Sequence, residues 1–357
     1  MANTIQTIPI KTQPEYAVSI APGLLDRCGG LIASALAPCR AAVITDSNVA
    51  GLYLLQVEDS LRAAGFAVCV YIFPAGEKSK NLSTLSQVLE FLAQEQLTRS
   101  DCVVALGGGV CGDMAGFAAG CYLRGVRYVQ LPTTLLSAVD SSVGGKTAVD
   151  LRYGKNLAGL FLQPSAVVCD TDCLKTLPPL ERANGAAEAI KTGVLSDEGL
   201  FTLFDTDDLT ADLGEIVARC IAFKGSVVER DELDNGLRRT LNLGHTAGHA
   251  IEKCSGYTIH HGHAVAAGLS IIVRAAEALG WTEEPCAKRI CAVLRRNSLP
   301  TGTEYSPQTL ASAALADKKR RGDEIALVIP RKIGKCEMKT VPVGELASIF
   351  AAGWEDR

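Results

Sequence analysis

The feature that most constrains this chain is an alternation in its first half. Short apolar and β-rich runs at Ala41–Thr45, Ala67–Phe73, Cys102–Leu106, Val126–Leu131 and Ala166–Cys169 are separated by segments of helical period. The segment Asn81–Glu95, for instance, sets Leu82, Leu85, Val88, Leu89 and Leu92 at helical spacing. A strand that is apolar along nearly its whole length is buried on both faces, and strands alternating with helices are joined by crossovers. The pattern predicts an α/β domain with a parallel, Rossmann-like sheet covered by helices on both sides. Function in such a sheet gathers at the carboxyl ends of the strands.

The character changes near Leu177-Pro178-Pro179, because two prolines do not continue a helix. Helical patterns then dominate at Arg182–Leu195, Leu213–Arg230, Thr240–Cys254, Ala264–Leu279 and Pro285–Asn297, and a hairpin pair closes the chain at Glu324–Pro330 and Lys335–Val341. The expected organisation is an α/β domain over residues 1–178 and a mostly α-helical domain over 179–357, with the active site in the cleft between them. A length of 357 residues accommodates both.

Composition removes several classes of function. With 48% apolar and 21% charged residues, the bulk of the chain is not disordered. A net charge of -4 leaves no basic footprint for nucleic acid, so an anionic substrate needs a local cluster of lysine and arginine. The polar N-terminus lacks the pattern of a signal peptide, and the most apolar stretch, Ala264–Leu279, is interrupted by Arg274 and Glu277. A cytoplasmic protein without a membrane partner is expected. The 13 cysteines carry no CxxC pair and read as reduced thiols; Cys169 and Cys173, four apart, read as core residues in preference to metal ligands.

The turn Gly107-Gly108-Gly109-Val110-Cys111-Gly112-Asp113 follows a strand and opens a helix. Its glycines allow backbone to approach a pyrophosphate, and the helix start offers free N–H groups. The acid usual about 20 residues later in dinucleotide sites is absent, since Pro132 stands there. A tight turn without ligand is the competing reading. Asp46 and Asn48, the Pro74–Lys80 loop with Gly76, Glu77 and Lys80, and Pro132-Thr133-Thr134 also follow strands, and their joint placement favours a nucleotide site.

Asp140–Thr147, with Gly144, Gly145 and Lys146, and the nearby Lys155-Asn156 suit phosphate or carboxylate binding or, alternatively, a surface loop. The histidines crowd into Leu243–His263. His245 and His249 share a helix face at i, i+4, and upstream Glu188 and Lys191 lie one turn apart. A carboxylate with two imidazoles and an open position is a common catalytic zinc set, against the alternative of structural histidines; HExxH is absent, which excludes the metalloprotease pattern.

Longer motifs add a resemblance. Gly76–Lys80 (GEKSK), Gly107–Ala119 (GGGVCGDMAGFAA), Gln130–Val149, Gly154–Gly159 (GKNLAG), Cys173–Pro178 (CLKTLP), Ala187–Lys191 (AEAIK), Arg238–Glu252 (RRTLNLGHTAGHAIE) and His261–Leu269 (HGHAVAAGL) resemble the 3-dehydroquinate synthase family of sugar phosphate cyclases over nearly the whole chain. The resemblance implies NAD and a divalent metal, usually zinc with cobalt as the alternative, acting on 3-deoxy-D-arabino-heptulosonate 7-phosphate. It implies transient oxidation, phosphate elimination, reduction and aldol closure to 3-dehydroquinate.

By the same resemblance the cofactor residues are Asp46, Asn48, Gly76, Glu77, Lys80, Gly108, Gly109, Val110, Cys111, Gly112, Asp113, Thr133, Thr134, Lys146, Lys155, Cys173, Leu174, Lys175 and Thr176. The metal ligands are Glu188, His245 and His261. Asp140, Lys191, Lys224 and His249 fall in the catalytic group, and Arg124, Lys146, Asn156, Arg238, Asn242 and one of Lys318 or Lys319 in the substrate group. Arg124 is implied to reach the neighbouring subunit's site, hence a homodimer. One departure stands out: the family pattern has glutamate where His263 follows His261-Gly262. The competing functions are a cyclase for another phosphorylated sugar and a metal-dependent polyol dehydrogenase.

Overall fold

The computed structural model describes residues 4–206, 212–315 and 323–355. The chain forms two compact units, Met1–Leu177 with Leu213–Leu233, and Pro178–Asp212 with Asp234–Arg357.

The strands of the first unit are β1 Gln6–Ile10, β2 Tyr16–Ala21, β3 Arg40–Asp46, β4 Ala67–Phe73, β5 Cys102–Gly107, β6 Arg127–Pro132, β7 Lys146–Leu151, β8 Gly154–Phe161 and β9 Ala166–Asp170. Seven of them form one sheet in the order β1-β2-β9-β6-β5-β3-β4, parallel throughout except for the antiparallel edge strand β1. The strands expected from sequence are all present, with bounds shifted by a residue or so.

Register explains why these strands are so apolar. Val43, Val104 and Val129 lie side by side and pack on one face with Ile32 and Leu61. Ala42, Val103 and Tyr128 fall on the opposite face with Leu85, Val88 and Met114. Burial on both faces leaves no position along the central strands for an exposed polar side chain. The chain leaves β3 for β4 on one side and returns to β5 on the other, so the winding direction reverses between β3 and β5. Open α/β sheets offer their binding crevice at such a reversal.

Several expectations need correction. The helix read as Asn81–Glu95 spans Leu82–Gln94; the Asn81 side chain caps it by accepting from Thr84 N–H at 3.0 Å, and Leu82 is exposed. The edge hairpin β1–β2 and the small antiparallel pair β7–β8, Lys146↔Phe161 to Leu151↔Gly154, were not anticipated. Both are short, and their faces mix buried with exposed positions. Helix Leu213–Arg230, expected with the helical half, groups with the first unit. Its Glu229 accepts from Lys11 N–H at 2.8 Å, and Gly225 lies against Ile10.

Among the described residues, the only strands of the second unit are β10 Glu324–Lys332 and β11 Lys335–Pro342, which pair antiparallel. The double proline begins a helix instead of merely ending one: Pro179 occupies the first turn of Pro179–Ser196, where its missing N–H would have no partner anyway. The helix expected over Thr240–Cys254 starts only at His245, because Gly244 is left-handed (φ 77°) and separates it from the 3-10 turn Leu237–Asn242. The next helix starts earlier than expected, at His261, and runs to Ala278.

One buried side chain ties the strand ends of the first unit together. Asp170, 2% exposed, accepts from the backbone N–H groups of Gly23, Leu25 and Asp172, each at 2.9 Å. Each unmade buried hydrogen bond costs roughly 1–3 kcal/mol. Asp170→Ala is expected to lower stability in urea unfolding by about 3 kcal/mol or more, with Asp170→Asn recovering part of the loss. An unchanged unfolding curve for the alanine variant would refute this role.

Candidate functional site

At the carboxyl end of β5 the chain turns directly into helix Gly109–Cys121, with Gly108 as its cap. The turn is sterically closed to side chains. A Cβ on Gly107 would stand 2.6 Å from Cys111 Cβ, one on Gly108 2.9 Å from Thr134 Cγ2, and one on Gly112 2.6 Å from Gln130 Oε1. Asp46 Oδ2 lies 3.7 Å from the Gly107 Cβ position and Ser141 Oγ 3.1 Å from that of Gly109. The ends of β3, β5 and β6 therefore converge on this turn at the reversal of winding. Thr133 N–H donates to Gly107 O at 3.0 Å, locking the strand ends together.

The polar groups around the turn are already organised. Asp46 caps the turn after β3 by accepting from Asn48 N–H and Val49 N–H at 2.9 and 3.1 Å. Gly76 takes φ 107°, which suits glycine and starts the Glu77–Ser79 turn. Lys80 is buried, and its ammonium donates to Asp113 Oδ2 and Asn156 Oδ1, both at 2.6 Å. Burial opposes its charge, but Asp113 and Glu77 outweigh that and raise its pKa. Lys155 Nζ stands 3.6 Å from Glu77 Oε1.

Other predicted groups offer only part of themselves. The Cys111 thiol is buried against Ile44 O at 3.1 Å, so only its backbone faces the turn. Cys173 and Leu174 are likewise buried, and burial pushes the Cys173 thiol up to about 12; Cys169 is buried too, so this pair is core as expected. Lys175 is exposed and paired with Asp172 at 2.7 Å, and Thr176 Oγ1 meets Tyr53 OH at 2.7 Å. Lys146 opens β7 and is exposed. Lys224, on helix Leu213–Arg230, donates to Asp140 O at 2.6 Å and pairs with its Oδ1 at 2.9 Å. Arg124 is exposed in a run of positive φ, 49° at Leu123, 66° at Arg124 and 116° at Gly125.

In the second unit three helices bring a cluster of titratable groups together. Helix Pro179–Ser196 presents Glu188 and Lys191, His245–Cys254 presents His245 and His249, and His261–Ala278 begins with His261. Two of these helices cross almost backbone to backbone: a Cβ on Gly268 would stand 2.2 Å from Gly244 O, and one on Gly248 3.1 Å from Ala264 O. Glycine at the crossing is what lets the histidines of both helices meet.

One ligand atom from each of Glu188, His245 and His261 lies within 4.8 Å of the others. The Nε2 atoms of His245 and His261 stand 3.7 and 3.4 Å from Glu188 Oε1. Their Nδ1 atoms face acceptors instead, His245 toward Leu243 O at 3.1 Å and His261 toward Glu252 Oε2 at 3.2 Å. With Nδ1 turned to these acceptors, the Nε2 atom of each ring points inward, the direction from which it would meet a cation once it carries no proton. Glu188 is 1% exposed, and neither carboxylate oxygen has a well-angled hydrogen bond, although Lys191 Nζ is 2.5 Å from Oε2. A carboxylate with spare lone pairs facing two imidazole nitrogens fits a divalent metal of the zinc type.

Burial opposes the charge of Glu188, yet Lys191, His245 and His261 hold its carboxyl well below the usual range. Burial and Lys191 keep His245 neutral, with its pKa well below normal. Burial also disfavours charge on His261, but Glu188 and Glu252 overcome it and raise its pKa to about 10. A cation bound there would take the place of the proton that Glu188 and Glu252 otherwise hold on His261.

Glu252 was not singled out from sequence, although its position i+7 from His245 and i+3 from His249 sets it on their helix face. Among the described residues His263 and His260 join no group of side chains that could hold a metal; their ring centroids are 6.0 Å from each other, and His260 Nδ1 lies 3.6 Å from Glu181. Arg238 is buried and Asn242 half-buried in the 3-10 turn before His245. Lys318 and Lys319 lie outside the described residues.

Comparison with known proteins agrees with these features. Residues 70–184 match the family described as 3-dehydroquinate synthase N-terminal, and residues 185–320 match 3-dehydroquinate synthase C-terminal. A curated 3-dehydroquinate synthase from Enterococcus faecalis (strain ATCC 47077 / OG1RF) is 43% identical over 350 residues, covering 96% of this chain and 98% of that protein. The crystal structure of 2-deoxy-scyllo-inosose synthase complexed with carbaglucose-6-phosphate, NAD+ and Co2+ superposes with TM-score 0.86 at 26% identity, covering 98% of this chain and 100% of that one. The 2-epi-5-epi-valiolone synthase of Streptomyces hygroscopicus subsp. jinggangensis, with NAD+ and Zn2+ bound, gives TM-score 0.86 at 27% identity over 94% of this chain and 96% of that one. The chain belongs to the 3-dehydroquinate synthase family.

Proposed function

We propose that this chain converts 3-deoxy-D-arabino-heptulosonate 7-phosphate into 3-dehydroquinate and phosphate. The observation that carries the reading is the buried group of Glu188, His245 and His261, with both Nε2 atoms directed at the carboxylate. The glycine turn after β5 supplies a place for a pyrophosphate that a side chain would fill.

When bound, NAD takes and returns a hydride, and a divalent cation polarises the oxygen at the reacting carbon. In this reading Glu188, His245 and His261 hold the cation, Zn2+ or Co2+. Asp46, the backbone of Gly108–Asp113, Glu77, Lys80, Lys155, Thr133, Thr134 and the Cys173–Thr176 backbone hold the dinucleotide. Asn48, Gly76 and Lys146 belong to the same set.

The remaining groups act on the sugar acid. Arg238 grips the planar carboxylate bidentately, with Lys224 and Asn242 supporting it. Lys146, Asn156 and one of Lys318 or Lys319 neutralise the phosphate, which the acidic protein as a whole would repel. Asp140 orients the Lys224 ammonium through their 2.9 Å pair. Lys191 and His249 move protons at the hydroxyl that is oxidised, and the departing phosphate takes the proton from the acidified neighbouring carbon. We further propose a cytoplasmic homodimer in which Arg124 serves the partner's site. Among the described residues no helix is long and apolar enough to cross a membrane.

A second reading, a cyclase for a different phosphorylated sugar, draws on the close superposition with 2-deoxy-scyllo-inosose synthase. The two readings separate in one assay. Phosphate release from 3-deoxy-D-arabino-heptulosonate 7-phosphate is expected to require both NAD and a divalent cation, without net NADH. No phosphate from metal-loaded protein would favour the second reading, and NADH accumulating with simple polyols would make the chain a dehydrogenase.

Glu188→Gln is expected to weaken zinc binding by more than about 100-fold while leaving the far-ultraviolet circular dichroism unchanged. Full zinc retention would take Glu188 out of the ligand set. Coexpressed Arg124→Ala and His245→Ala chains are expected to regain activity in mixed dimers, where one site has both residues intact. No recovery would mean that Arg124 does not work across subunits.

A further inference from the structure

A pair of thiols lies at the end of the sheet opposite the glycine turn. Cys102 is the first residue of β5 and fully buried, and Cys39 sits half-buried just before β3. Their Sγ atoms are 3.8 Å apart, in contact for sulfur. The backbone on both sides is anchored: Cys39 O accepts from Ala67 N–H at 3.0 Å, and Arg40 N–H donates to Asp101 Oδ1 at 2.9 Å. Ala41 of β3 pairs directly with Cys102 of β5, so the strands that carry the two sulfurs are hydrogen-bonded neighbours. To bond, the sulfurs close from this contact to about 2.05 Å.

The two thiols differ in the way a reacting pair requires. The contact with Cys102 holds the Cys39 thiol below its ordinary value; burial opposes this and Arg127 adds to it. The contact with Cys39 and burial together push Cys102 far up. The less buried member is therefore the better thiolate, and the fully buried member is a shielded second thiol beside it.

We propose that Cys39 and Cys102 are a modification site, a dithiol that a small disulfide oxidises to an intrachain disulfide. The Cys39 thiolate attacks one sulfur of the small disulfide, whose S–S bond breaks and releases one thiolate. Cys102 then attacks Cys39 Sγ, breaking the mixed disulfide, and its proton passes to the departing thiolate, which leaves as the second small thiol. Two protein thiols are oxidised and one small disulfide is reduced to two thiols. The new bond staples the amino ends of β3 and β5, whose carboxyl ends bear Asp46 and the glycine turn.

The full chain is incubated with oxidised glutathione, alkylated in urea, digested and analysed by mass spectrometry. A peptide linked through Cys39 and Cys102 is expected, with two fewer alkylated thiols than the 13 present, and dithiothreitol reverses both changes. The melting temperature of the oxidised form is expected to rise, since a crosslink across this long loop restricts the unfolded chain. In Cys102→Ala, Cys39 is expected to stop at the glutathione adduct; in Cys39→Ser, Cys102 stays unreacted. Glutathione remaining on Cys39 of the unsubstituted chain at equilibrium would overturn the proposal. So would no reaction at Cys39 under conditions that modify the exposed Cys121.

Discussion

Glu188 carries its carboxylate at 1% exposure, and a charge buried that deeply persists only with opposite charge or ligands around it. Much of the second unit can be understood as meeting that requirement. Lys191, one turn further along the same helix, stands at 2.5 Å, and two imidazoles from two other helices complete the surroundings. Three helices are thus committed to one small volume. Helix Pro179–Ser196 contributes the acid and the lysine, and the other two must meet closely enough to bring His245 and His261 together. Gly244, Gly248 and Gly268 make that approach possible, because any side chain there would strike the facing backbone.

The first unit answers a different constraint. Its central strands are buried on both faces, so they carry almost no polar side chains, and polar chemistry is pushed to their ends. Where the winding reverses, the ends of β3, β5 and β6 meet around Gly107–Gly109. The absence of Cβ atoms there leaves backbone N–H groups as the natural contact for an anion, which suits a dinucleotide without requiring the usual acid after the second strand.

Much of this was legible from sequence because local pattern and local structure coincide. The apolar runs marked five strands of the main sheet; spacing put His245 and His249 on one helix face, while Glu188, His245 and His261 as a set came from the family resemblance. The misreadings have physical causes. Lys146–Phe161 forms a hairpin whose alternating exposure gives little apolar signal. Leu82 has helical spacing but stands in the first turn, beyond the buried face. Glu252 escaped notice because its part in the cluster, accepting from His261 Nδ1, depends on a contact between two helices. His263, conspicuous as a departure from the family pattern, meets the His260 ring and is not among the side chains grouped with Glu188.

Sequence by itself determined the class of the first unit, the position of its glycine turn and the residue types gathered around Glu188. Those depend on periodicity and on short motifs, which act within a few residues. Only tertiary structure decided which imidazole nitrogens face Glu188, that helix Leu213–Arg230 belongs with the sheet, and that Cys39 and Cys102 touch across 62 intervening residues. Each of these follows from a packing contact between segments remote in the chain, and the energy of such a contact is set by close fit, which leaves no local trace in the order of residues.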